Sequence, residues 1–72
     1  MSDVKQIAHV RFISALRDAK ARVRTVNILV EGTYKPYTGH VVDVNDNMVI
    51  LENEYSTEYL LLSSVKAVKV YG

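Results

Sequence analysis

After residue 21 the chain leaves room only for strands that pair with their sequence neighbours. Runs of β-branched and other apolar residues follow in quick succession: Arg22 to Val30, Tyr37 to Val44, Met48 to Glu52, Thr57 to Leu62 and Val65 to Val70. The segments between them are short and rich in turn formers: Glu31-Gly32-Thr33 leading to Pro36, Asn45-Asp46-Asn47, Asn53-Glu54-Tyr55-Ser56, and the corner Ser63-Ser64. A parallel crossover takes about a dozen residues or more, so all five strands are expected to be antiparallel. In the first of them Val26, Ile28 and Val30 fall on one face. Gly32 supplies the positive φ of a tight reversal. Pro36 lacks an amide donor and belongs where a strand starts or at an edge.

Residues from about Asp3 to Ala21 read as a helix. Asp3 can cap it, with Gln6 placed for the reciprocal half of a capping box. Val4, Ala8, Phe12, Ala15, Leu16 and Ala19 recur at helical spacing, Ile7 and Ile13 widen the stripe, and Ser14, Arg17 and Asp18 lie opposite. One helix followed by five short strands predicts a mainly β (α+β) domain over residues 1–72. Its core is a strongly bent five-stranded antiparallel barrel over about 22–71, with the helix across one open end.

A chain of 72 residues buries only about 60% of the surface its unfolded form exposes and is marginal alone, the usual remedies being disulfides, a metal or association. It has no cysteine, and its two histidines, His9 and His40, lie in different elements without metal-ligand spacing. No metal or other cofactor is expected. Association remains, and the 49% apolar content agrees with extra surface to bury. No run is long enough to span a membrane. The opening Met-Ser-Asp-Val-Lys-Gln lacks the apolar core of a signal peptide, so a cytoplasmic location is expected. The net charge of +1 is low for a protein gripping nucleic acid by its overall field, so such binding has to use local patches.

The segment Gly39-His40-Val41-Val42-Asp43-Val44-Asn45-Asp46-Asn47-Met48-Val49-Ile50-Leu51 resembles the first motif of the Sm and LSm proteins without a gap. That motif has a glycine in strand two, an acid six positions on, a Met-Asn pair and then alternating aliphatics. Phe12 to Arg17 with Val26 to Gly32 looks like the helix and first strand of the bacterial relative Hfq. Tyr59 to Val65 resembles the corner that carries the second motif. The chain departs from the pattern where Asn45 stands at the acidic position, Val49 replaces a base-reading asparagine, and Ser63-Ser64 replace Arg-Gly or Lys-His. The segment between Gly32 and Gly39 is also longer than in the family. The resemblance implies an Sm-like fold and a cyclic homo-oligomer of about five to seven copies. In such a ring the edge strand four of one copy pairs with strand five of the next.

Candidate binding residues follow, each with a plainer alternative. The turn Asn45, Asp46, Asn47 with Met48 corresponds to the pore-facing base pocket of the family, where amides and carboxylates contact an unstacked base. Equally, Asn and Asp can satisfy a tight turn while Met48 fills core. Ser63 and Ser64 can donate to phosphate oxygens or simply cap a bend. Tyr34 and Lys35 form an aromatic–basic pair suited to stacking bases, in the region where Hfq binds adenine-rich RNA. Arg11, Arg17 and Arg22, with Lys20 and Arg24, form a basic rim or an ordinary solvated face. Nothing assembles into a nucleophile–base set, so no enzymatic activity is expected. The first expectation is a ring that binds single-stranded RNA or DNA in processing or chaperoning. The alternative is a ring-forming assembly component without nucleic-acid binding, and a monomeric SH3-like adaptor is a third reading.

Overall fold

The structure is a computed structural model that describes residues 4–72, with side chains from residue 10 onward. Helix α1 spans Val4–Ala21, and the strands are β1 (Thr25–Val30), β2 (Tyr37–Val44), β3 (Met48–Glu52), β4 (Thr57–Leu61) and β5 (Val65–Val70). A single 3₁₀ turn, Leu62–Ser64, joins the last two. All pairings are antiparallel, in one sheet of order β4-β3-β2-β1-β5. The chain has the expected Sm-like architecture, a helix followed by a five-stranded antiparallel sheet. The expected cap Asp3 and the side chains of Val4, Gln6, Ile7, Ala8 and His9 lie outside the described residues.

Two boundaries differ from expectation, each for a local reason. The first strand begins at Thr25 rather than Arg22, because the helix exit occupies the three residues between. Arg24 N–H returns to the Ala19 carbonyl at 2.9 Å, and Val23 takes a left-handed φ of 54°. This is a helix-ending turn normally given to glycine, made here with a β-branched residue. The fourth strand stops at Leu61, because Leu62 opens the 3₁₀ turn.

One hydrophobic cluster draws on every element. The helix contributes Ile13, Leu16 and Ala19, with Phe12 packed against them. Ile13 and Leu16 therefore lead the buried stripe, and Ala15 stays only half-buried. The sheet contributes Val26, Ile28 and Val30 from β1, Val41 and Val44 from β2, Val49 and Leu51 from β3, Leu60 from β4 and Val65 from β5.

The bend that wraps the sheet around this cluster is written into β2. Its first half, Tyr37 to His40, pairs with β1, and its second half pairs with β3. Between Val41 and Asp43 the register slips, leaving Val42 as an extra residue. The inward positions then change phase from Gly39 and Val41 to Val44, as a β-bulge requires. Gly39 sits where β3 comes closest: a Cβ there would lie 2.6 Å from the Glu52 carbonyl oxygen. A second slip between Leu29 and Val30 bends β1 against β5. The sheet does not close on itself, and β4 and β5 remain its two edges.

Candidate nucleic-acid interface

The Asn45-Asp46-Asn47 turn is built by its first residue. Asn45 Oδ1 accepts from the N–H groups of Asn47 (2.8 Å) and Met48 (2.9 Å), and its own N–H donates to the Met48 carbonyl at 2.9 Å. The carboxamide oxygen that could face a ligand thus stabilises the turn backbone instead. Asp46 and Asn47 are exposed, Met48 is half-buried, and Val49 is fully buried in the core.

The fold brings this turn to the Ser63-Ser64 corner. Leu62 N–H donates to the Asn47 carbonyl at 2.9 Å, and Glu31 N–H donates to the Ser64 carbonyl at 2.8 Å. Two segments well separated in sequence therefore share a border, which continues into the β1–β2 loop. Ser63 is exposed and Ser64 half-buried.

Lys20, near the end of α1, reaches the same border from the helix side. Lys20 Nζ lies 3.4 Å from Asp43 Oδ1, tying the end of the helix to the end of β2 just before the turn. Arg22 Nε pairs with Asp18 Oδ1 at 3.0 Å, one helical turn back. Both pairs are well exposed, so each contributes under about 1 kcal/mol. Arg11 and Arg17 are exposed on the same helix, and Arg24 is half-buried.

Tyr34 and Lys35 lie in the β1–β2 loop. Tyr34 is fully exposed, whereas Tyr37 is half-buried and packs against the core. The loop is set by Gly32 (φ 83°) and by Thr33, whose N–H and hydroxyl both donate to the Val30 carbonyl, at 3.3 and 2.9 Å.

Sequence reasoning passed over three exposed groups. Tyr55 is 91% exposed on the β3–β4 loop, and Tyr59 and Leu61 project from β4 with 64% and 53% of their surface open. Tyr59 and Leu61 alternate with the buried Leu60 and Leu62, so strand periodicity could have marked them as outward-facing. They sit on an edge strand beside unpaired backbone groups, a place where natural sheets avoid apolar side chains unless something covers them.

Among the described residues no group of three His, Cys, Asp or Glu side chains could hold a metal ion. No helix among the described residues is long and apolar enough to cross a membrane.

Helix, bulged and bent β2, 3₁₀ corner and the two open edges define the Sm-like fold. Among solved structures, the 1.55 Å crystal structure of the pleiotropic translational regulator Hfq matches with a TM-score of 0.74. It covers 99% of this chain and 100% of its own, at 15% sequence identity. No protein-family model matches the sequence, and no curated protein matches it.

Proposed function

We propose that the chain works as a cyclic homo-oligomer that binds single-stranded nucleic acid, RNA in the first instance, and acts in its processing or chaperoning without being an enzyme. The observation that carries this reading is the meeting of the Asn45–Met48 turn with the Ser63-Ser64 corner, joined through Leu62 N–H and the Asn47 carbonyl. It lies near the end of a helix bearing exposed Arg11, Arg17 and Lys20, with exposed Arg22 in the turn that follows. A subunit with net charge +1 offers little attraction by itself. Repeated around a ring, the same local patch presents several phosphate contacts at once, and binding of this kind weakens steeply with salt. The two free edges supply the assembly: β4 of one copy and β5 of the next complete each other, and Tyr59 and Leu61 are covered in the process. The matched structure is that of a translational regulator, which agrees with RNA as the partner.

A second reading has its own support. Asn45 spends its carboxamide oxygen on the turn, Val49 is inside the core, and the corner carries no arginine. These features favour a ring that serves protein assembly and has lost base recognition.

Fluorescence anisotropy with short oligo-U, oligo-A and mixed DNA at low salt separates the two. Binding tighter than about 100 μM supports the nucleic-acid reading, and its absence for every probe rejects it, since even non-specific binding commonly reaches that range. Light scattering tests the ring: a mass near the 8.1 kDa of one chain at micromolar concentration rejects it.

A further inference from the structure

We infer that the outer face of the sheet, at the bend of β2, is a docking groove for an extended peptide segment bearing lysine or arginine. This surface differs in position and charge from the helix side discussed above. The groove measures about 490 Å³ and is lined in part by Thr25, Thr38, His40, Val42, Glu52 and Glu54. That volume is within the range of clefts that hold ligands.

Charge selects the class of occupant. Glu52 and Glu54 are exposed, and among the described residues the lining contains no lysine or arginine. Two carboxylates repel a phosphate backbone and attract a cationic side chain. The bulged Val42, 45% exposed, offers apolar surface for the methylene stem of that side chain. Tyr55 follows Glu54 in the chain and stands 91% exposed, so it can lay its ring face against the charged head.

The groove is held in shape by its own hydrogen bonds. Asn53 Nδ2 donates to the Thr38 carbonyl at 3.0 Å, and Asn53 Oδ1 accepts from the N–H groups of Tyr55 (2.8 Å) and Ser56 (3.0 Å). Thr38 Oγ1 in turn donates to Asn27 Oδ1. One asparagine thus sets the loop that carries Glu54 and Tyr55 against the start of β2. A preformed surface loses little on ordering its partner-binding groups, which matters where each contact is exposed and weak.

The test uses the full chain and a fluorescein-labelled peptide of alternating lysine and glycine, followed by anisotropy at low salt. An exposed ion pair is worth up to about a fivefold change in affinity. The double variant E52Q/E54Q is therefore expected to bind about tenfold more weakly, and Tyr55→Ala about threefold more weakly. Glu31→Gln, outside the groove, should leave affinity unchanged, and saturating oligo-U should not displace the peptide. The inference is overturned if the peptide does not bind, if Glu31→Gln weakens it as much as E52Q/E54Q, or if oligo-U competes. It is likewise overturned if Tyr55→Ala abolishes oligonucleotide binding while sparing the peptide, because the groove then belongs to the nucleic acid. The peptide affinities of the Glu52/Glu54, Tyr55 and Glu31 variants are read without nucleic acid, so this inference can fail while the RNA reading stands, and the reverse.

Discussion

Gly39→Ala is expected to be strongly destabilising although it adds a single carbon. The new Cβ would lie 2.6 Å from the Glu52 carbonyl oxygen and 3.0 Å from its carbon, about 0.8 Å short of the 3.4 Å at which ordinary contact begins. Both obstacles are main-chain atoms, so no side-chain rotamer relieves the clash. Either β2 and β3 separate at the His40–Glu52 pair, or the bend flattens and the core loosens. Overpacking of this kind costs about 1–3 kcal/mol, and a weakened ladder hydrogen bond adds about 1 kcal/mol. The sum, about 2–4 kcal/mol, is a large share of the roughly 4–11 kcal/mol that a domain this small possesses. At about 4–8 °C per kcal/mol it lowers the melting temperature by about 8–32 °C. Circular dichroism melts at one fixed protomer concentration measure it, because in the proposed assembly the melting point depends on concentration. Gly32→Ala is the control. Nothing lies within 4 Å of its Cβ, so it carries only the strain of φ 83°, about 1–2 kcal/mol. Adding Glu52→Ala should give no rescue, since the clash is with backbone. A Gly39→Ala variant that melts within about 3 °C of the parent, or survives better than Gly32→Ala, refutes the reasoning.

Val23→Gly should raise stability by about 0.5–1 kcal/mol. It relieves a left-handed β-branched residue, a gain of about 1–2 kcal/mol, against the greater freedom of unfolded glycine; a lower urea midpoint would contradict this. Asn53→Ala removes one carboxamide that serves three backbone groups and should cost about 1–2 kcal/mol. Faster amide hydrogen exchange at Tyr55 and Ser56 is the specific readout, and unchanged exchange there counts against the assignment. Leu61→Lys, at a position 53% exposed on the edge strand, should leave helical and strand content intact while light scattering falls to the single-chain mass. An unaltered assembly would remove β4 from the subunit contact.

Chain order and strand existence were legible because they rest on local physics. Alternation in Val26-Asn27-Ile28-Leu29-Val30, turn formers at Gly32, Asn45 and Asn53, and the helical spacing of Phe12, Leu16 and Ala19 each act within a few residues. The start of β1 was misplaced because Arg22, Val23 and Arg24 look like strand by composition, while a long-range need to reverse the helix places Val23 at positive φ. The bulge at Val42 left only a faint trace, the change of inward phase between Val41 and Val44, which composition alone does not separate from a plain strand.

By itself the sequence settled which segments become helix and strand and that neighbouring strands run antiparallel. Only the tertiary structure decided what those segments do to one another. It placed the Asn45 turn against the Ser63-Ser64 corner and turned the Asn45 carboxamide inward on its own loop. It also left Tyr59 and Leu61 on an open edge and gathered Glu52 and Glu54 around a groove. The physical reason is that propensity and periodicity act over a few residues. Which surfaces meet is settled by one bend in β2, made by a bulge and by a glycine whose missing side chain lets another strand come close.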